Sequence, residues 1–164
     1  NGRARVVTDV GQHQIWTAKG LCHTAPRRFI TSGGMGAMGF GIPAAIGAAL
    51  ASPGERIVAV LGDGGAQMTS EELIVAVEEK LPIVFVVMRN GTLGLVRQMQ
   101  RRLCGGRYFA TDLTSPDFVR LAGAYGLAAR RIETLAQFEA ALARAFRARA
   151  PLLLDVVVDP AIEA

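Results

Sequence analysis

Residues 60–72 read VLGDGGAQMTSEE, an apolar run that passes straight into Gly62-Asp63-Gly64-Gly65 and then towards a helix start. Asp63 stands just past one strand-like run, 56–61. Asn90 stands just past the next, 82–88, 27 positions further on. Parallel neighbours end on the same edge of a sheet, so one βαβ crossover brings the two side chains together. A carboxylate and an amide oxygen suit a hard divalent ion of the Mg²⁺ type, which takes only one or two protein carboxylates and completes its shell with water and phosphate oxygens. Gly62, Gly64 and Gly65 let the backbone approach those phosphates beside a helix N-terminus. Singly, GDGG and Asn90-Gly91 are turn sequences. Together, at matching strand ends, they read as a metal–diphosphate site.

The elements that must carry these residues alternate in type. Strands are predicted at 5–9, 28–31, 56–61, 82–88, 127–132 and 152–158, and helices at about 37–51, 69–80, 116–125 and 134–148. The runs at 56–61, 82–88 and 152–158 are continuously apolar, as strands buried on both faces should be. Thr69 with Glu72 and Thr134 with Gln137 have capping-box spacing, and Ser115-Pro116 has the form of a cap before a first-turn proline. Leu135, Phe138, Leu142 and Phe146 recur at helical spacing and form one apolar stripe. The expected fold is α/β, a doubly wound, mainly parallel six-stranded sheet flanked by helices. Its ligands should lie outside the carboxyl ends of the strands. The segment from Gly91 to about Thr114 reads as a long, Gly-rich functional loop.

The bulk composition narrows the classes. The 164 residues, 51% of them apolar, suit one domain spanning 1–164. Sixteen of the 18 basic residues are Arg, and they are scattered rather than striped with aromatics, so the +4 net charge does not indicate nucleic acid. No apolar run is long enough for a membrane span. Two cysteines, Cys22 and Cys104, indicate a reduced, cytoplasmic setting and not a cysteine-rich metal cluster. The missing initiator Met suggests a piece or a processed form of a longer chain.

GDGGAQMTSEELIVAVEEKLPIVFVVMRN resembles the diphosphate-binding signature of thiamine diphosphate enzymes, GDG followed some two dozen residues later by Asn. DVGQHQIW at 9–16, SGGMGAMGFGIPAAIGAAL at 32–50, NGTLGLVRQMQ at 90–100, GGRY at 105–108 and PDFVRLAGAYG at 116–126 resemble consecutive blocks of the acetolactate synthase catalytic subunit family, in its C-terminal, cofactor-binding domain. The resemblance implies thiamine diphosphate and Mg²⁺ as cofactors, with metal ligands from Asp63, Asn90 and the Thr92 carbonyl. It implies diphosphate contacts from Gly11, Gln12, His13, Gly64 and Gly65, and a Gly36 carbonyl on the aminopyrimidine amino group. Met38 would wedge beneath the bent cofactor, bringing that amino group near the thiazolium carbon that attacks a 2-oxo acid. Leu95 and Met99 would line the approach of that substrate. The implied activity is decarboxylation of pyruvate or a similar acid followed by carboligation, as in branched-chain amino acid biosynthesis. The family takes its general acid–base Glu from a pyrimidine-binding domain of the same or a neighbouring subunit, and active sites lie between subunits of an oligomer. Neither that domain nor the middle domain has a matching block here, so the isolated chain should turn over little.

Two departures stand out. Arg89-Asn90 replaces a common Asn-Asn, which leaves the ligand position intact. Met99 replaces a common Trp, which leaves the acceptor acid open, and with it a related thiamine-dependent decarboxylase or lyase. GMGAMG at 34–39 also fits the dinucleotide fingerprint, with Glu55 or Asp63 as the ribose carboxylate, but neither spacing suits it. His13, Cys22 and His23 lack zinc-ligand spacing.

Overall fold

The computed structural model describes residues 4–22 and 25–164. Six parallel strands form one sheet in the order β2-β1-β3-β4-β6-β5. They are β1 (Ala4–Thr8), β2 (Phe29–Thr31), β3 (Arg56–Gly62), β4 (Ile83–Arg89), β5 (Ala128–Ile132) and β6 (Leu152–Val157). Seven helices connect or flank them: α1 (Gln12–Gly20), α2 (Gly41–Ala51), α3 (Asp63–Met68), α4 (Leu73–Glu78), α5 (Gly94–Leu103), α6 (Phe118–Ala124) and α7 (Leu135–Ala148). The doubly wound α/β expectation holds, and every strand pairing is parallel.

The larger core lies on the face covered by α2, α3, α4 and α6, where Ile42, Ala45, Leu73, Ala76 and Phe118 pack on Ile57, Leu61, Phe85 and Leu153. On the other face Ala141 and Ala145 of α7 pack on Val84, Val86 and Leu154. β4 is buried on both faces through its first five residues, as a continuous apolar run requires. β3 is not: buried and half-buried residues alternate along it, because Val58 and Val60 face the thinner layer. The expectation of a strand covered on both sides fails there.

Three helices, α1, α3 and α5, lie outside the predicted set. QHQIWTAKG of α1 has no apolar stripe, and its buried residues are the polar Gln12 and His13, so periodicity carries no signal. α5 occupies the segment read as loop. Its apolar residues Val96, Met99 and Leu103 do recur at helical spacing, but they stay exposed at 43, 53 and 77%. The expected helix 69–80 is in fact a 3₁₀ turn at Ser70–Glu72 and α4, and α3 comes ahead of it because β3 runs directly into α3 without a loop. Thr69 therefore caps nothing; its hydroxyl donates to the Gly39 carbonyl at 3.1 Å.

Thr134 is the true cap of its pair. Its hydroxyl oxygen accepts from the Gln137 N–H at 3.3 Å, and Gln137 Oε1 accepts from the Glu133 N–H at 2.8 Å. The apolar stripe of α7 holds for Phe138, Leu142 and Phe146, whereas Leu135 is 72% exposed. Ser115 is not the cap of α6; Asp117 is, accepting from the Val119 and Arg120 N–H groups. Thr134→Ala should lower the unfolding free energy by about 1 kcal/mol in urea denaturation, the usual cost of an N-cap.

Candidate functional site

β1, β3 and β4 run in register and end at one edge, Thr8 opposite Val60 and Gly62 opposite Met88. The residues that follow, Asp9–His13, Asp63–Gly65 and Asn90–Gly94, come together there. Asp63 is 2% exposed. Its Oδ2 accepts from the Gly91 N–H at 2.8 Å and the Ser115 hydroxyl at 2.7 Å, and its Oδ1 from the Gly64 N–H at 3.1 Å. The bond to Gly91 sets the carboxylate beside Asn90. Asn90 Oδ1 in turn accepts from the Thr92 N–H at 3.0 Å and the Thr92 hydroxyl at 3.2 Å, a side-chain turn that leaves Gly91 at φ +69°.

α1, α3 and α5 all start at this edge, after Gly11, Gly62 and Leu93, and none has a side-chain cap. α6 and α7 are capped by Asp117 and Thr134, while α2 and α4 also lack a side-chain cap. Uncapped N-termini present main-chain N–H groups and the positive end of the helix dipole, the combination that binds an anion.

His13 is buried between two glycines. A Cβ on Gly11 would lie 2.7 Å from its Cε1, and one on Gly62 2.9 Å away. Gly11 also adopts φ 153° and ψ −168°, a region open essentially to glycine alone. Burial pushes the imidazole down to about 4, while the Asp9 carboxylate and a hydrogen bond to the Asp9 main chain pull the other way. The ring is therefore neutral at pH 7. Its buried Nε2 has no hydrogen-bond partner among the described residues.

Asp9, fully buried, organises the neighbouring loop. Its Oδ1 accepts from the Gly39 N–H at 3.1 Å and the Val10 N–H at 2.7 Å, and its Oδ2 from the Gly41 N–H at 2.9 Å. These bonds hold the chain around Met38, whose Cε would lie 3.2 Å from a Cβ on Gly64. Gly65 leaves the space that the Asp9 carboxylate fills, since a Cβ there would stand 2.7 Å from its Cγ.

One cavity of about 90 Å³ is lined by Gly11, Gln12, His13, Met38, Gly62, Asp63, Gly64, Gly65, Asn90, Thr92 and Leu95 together with Val10, Trp16, Met88, Gly94 and others. All the expected site residues except two are in that lining. Gly36 sits in an exposed turn, its N–H donating to the Ser32 carbonyl at 2.9 Å, and Met99 is exposed on α5, one turn past the cavity-lining Leu95 and Val96. Gln12 lines the cavity but points its amide N–H groups away, to Gln98 Oε1 at 2.9 Å and the Ile162 carbonyl at 3.1 Å.

Asp9 and Ser115 were not legible as site residues. Asp9 reads as a polar strand end, and Ser115 reads as a helix cap. The dinucleotide alternative loses Glu55, which precedes β3 at the opposite edge and pairs with Arg5 at 2.6 Å and Arg28 at 2.9 Å. Cys22 is exposed, away from buried His13, and His23 lies outside the described residues. Arg89, in place of a second Asn, turns to Asp155 at 2.8 Å.

The lowered His13 value gives a signed prediction. Below pH 6.5 the unfolded chain binds a proton that the folded chain refuses until about pH 4, so stability falls as pH drops through that window. The loss attributable to His13 is about 3 kcal/mol at most. Urea denaturation between pH 7 and pH 4 should show a shallower decline for His13→Gln than for the native chain, whatever the variant's stability at pH 7.

Residues 9–156 match the family model for the thiamine pyrophosphate enzyme, C-terminal TPP binding domain. The chain is 45% identical over 155 residues to the acetolactate synthase isozyme 2 large subunit of Escherichia coli, covering 94% of this chain and 28% of that protein. It is 42% identical over 161 residues to a probable acetolactate synthase large subunit of Methanococcus aeolicus, covering 98% and 27%. With the mitochondrial acetolactate synthase catalytic subunit of Saccharomyces cerevisiae the figures are 40% over 154 residues, 94% and 22%. The chain thus spans about a quarter of the length of these relatives. A matching family model over most of the chain, with glycines and a carboxylate gathered at one sheet edge, makes this protein a member of the thiamine pyrophosphate enzyme family, represented by its C-terminal TPP-binding domain.

Proposed function

We propose that the chain binds thiamine diphosphate with Mg²⁺ and is the catalytic domain of an acetolactate-synthase-like enzyme acting on pyruvate or a similar 2-oxo acid. The observation that carries this reading is the convergence of Asp63, Asn90 and three uncapped helix N-termini on one cavity. Among the described residues no three His, Cys, Asp or Glu side chains gather as a metal cluster. A single carboxylate with an amide oxygen suits Mg²⁺ only when phosphate oxygens complete its shell. Metal and diphosphate then need each other.

When bound, the cofactor supplies a carbon nucleophile for the 2-oxo acid and an electron sink as carbon dioxide leaves. The chain's own residues bind and orient it. Asp63, Asn90 and the Thr92 carbonyl would hold the metal, with Ser115 and the Gly91 N–H fixing the carboxylate. Gly11, Gly64 and Gly65 and the helix N-termini would meet the diphosphate. His13 would meet the diphosphate through its unpartnered Nε2, which donates only when the ring carries a proton there, so a bound anion would draw its pKa up from about 4. Gln12 would have to release Gln98 and Ile162 to join them. Met38, braced through Asp9, would serve as the apolar wedge, with Gly36 at the aminopyrimidine and Leu95 and Met99 towards the substrate.

A cavity of about 90 Å³ is well below the roughly 300–1,000 Å³ of ordinary ligand sites, so it suits the polar end of a ligand whose remainder needs a second wall. A pyrimidine-binding domain, of the same or a neighbouring subunit, is the wall we infer. Met35, Leu103 and Phe109, exposed at 93, 77 and 83% in segments that follow strand ends at this edge, would give it apolar contact and favour an oligomer. No helix among the described residues is long and apolar enough to cross a membrane, and the two exposed free cysteines suit a reducing, cytoplasmic compartment.

Calorimetric titration with thiamine diphosphate tests the reading. Heat of binding should appear with Mg²⁺, vanish with chelator and fall at least tenfold in affinity for Asp63→Ala, while NAD gives none. Binding indifferent to metal and to Asp63 would overturn it. Ser115→Ala should weaken the metal-dependent affinity by about tenfold, the effect of losing a group that orients a ligand.

A further inference from the structure

Gln98 is buried in the second turn of α5, outside the lining of the cavity that holds Asp63 and Asn90. Its amide grips one residue with both of its polar atoms. Gln98 Nε2 donates to the main-chain oxygen of Ala164 at 2.9 Å, and Gln98 Oε1 accepts from the Ala164 N–H at 3.0 Å. A main-chain N–H only donates and a main-chain oxygen only accepts, so these two bonds allow the amide one orientation. The same logic runs inward. Gln98 Oε1 also accepts from Gln12 Nε2 at 2.9 Å, and that nitrogen donates again to the Ile162 carbonyl at 3.1 Å. Two acceptors therefore fix which end of the Gln12 amide is the nitrogen.

What Gln12 has left is its oxygen, and Asn90 is what meets it. Gln12 Oε1 accepts from Asn90 Nδ2 at 3.5 Å, the loosest contact of the series. Asn90 Oδ1 is thereby left on the side of the Thr92 N–H and hydroxyl, which donate to it at 3.0 and 3.2 Å. Gly94 makes the meeting possible. It lies one turn before Gln98 on the same face of α5. A Cβ there would run into Gln12 Oε1 and stand 2.9 Å from Asn90 Nδ2. Two amides meet in the space that a side chain would take.

We propose that Gln98 is a positioning residue for the metal site: through Gln12 it keeps the Asn90 amide turned with its oxygen, not its nitrogen, available to the cation. The proposal rests on the reading of Asp63 and Asn90 as metal ligands. A hard divalent ion takes oxygen, and an amide NH₂ group has only donors to show it. Without the Gln98 oxygen, Gln12 keeps one of its two acceptors and is free to turn over. Its Nε2 then faces Asn90 Nδ2, donor against donor, and favours the flipped Asn90. The two Thr92 bonds resist that flip, so the loss is partial. Held as it is here, Gln12 serves the metal ligand and not the diphosphate.

The complete gene product is titrated with Mn²⁺ at saturating thiamine diphosphate, and the free ion is read by electron paramagnetic resonance. Gln98→Met keeps the length of the side chain and removes both polar atoms. It should weaken Mn²⁺ by about tenfold, the effect of losing a group that orients a ligand. The Asn90→Asp background separates orientation from structure, because a carboxylate offers oxygen whichever way it turns. There Gln98→Met should change the affinity by no more than about twofold, since the two sites are then uncoupled. Gln98→Glu keeps an oxygen for Gln12 and gives up the bond to the Ala164 oxygen, so it should stay within about threefold of native. Native affinity in Gln98→Met, or an equal loss in both backgrounds, would overturn the proposal. So would a loss in Gln98→Glu as large as that in Gln98→Met. An affinity that ignores Asp63→Ala overturns the metal reading and this proposal with it; every other failure leaves that reading standing.

Discussion

A carboxylate buried at a strand end must find donors, and the needs of Asp63 tie together segments far apart in the chain. Its three bonds come from the residue beside it, from the turn after β4 and from the segment before α6. Satisfying the charge with neutral donors spares it a salt bridge, which would cancel the field it offers a cation. The turn it holds contains Asn90, so one set of hydrogen bonds both stabilises the carboxylate and sets its partner oxygen beside it. Asp9 repeats the device at the end of β1, where main-chain N–H groups of the glycine-rich loop are the donors. Two strand-end carboxylates thus divide the work, one facing the cavity and one bracing the loop that carries Met38.

Glycine follows from the same constraint. Carboxylates and an imidazole buried at a sheet edge need space that side chains would fill. His13 takes it from Gly11 and Gly62, and Asp9 takes it from Gly65. The GDGG stretch is dense in glycine because the neighbouring His13 and Asp9 side chains approach its backbone. Leaving α1, α3 and α5 without side-chain caps costs some helix stability, and an anion at the edge they share would restore it.

How much of this was legible follows from how local each signal is. β4 and the Asp63–Asn90 pair could be read because a buried parallel strand is continuously apolar and neighbouring strands share an edge. The ordered blocks of family resemblance extended that reading to Gly11, His13 and Met38, all of which line the cavity. Asp9 could not be read, since its donors lie some thirty residues away and a strand-end Asp is usually solvated. Ser115 was masked by the proline after it, which mimics a cap, while the real cap lies two residues on. α1 was invisible because it buries Gln12 and His13 in place of an apolar stripe. The half-covered face of β3 was hidden too, because an apolar strand sequence does not say how far each of its faces is covered.

The central claim is that metal and diphosphate bind at Asp63 and Asn90 as one unit. Electron paramagnetic resonance of Mn²⁺, in place of Mg²⁺, measures it most directly, titrated with and without thiamine diphosphate. Coupled binding is reciprocal, so the account predicts that saturating cofactor tightens Mn²⁺ at least tenfold and that Asp63→Ala abolishes the gain. An Mn²⁺ affinity unmoved by the cofactor, or a gain that survives Asp63→Ala, would contradict it.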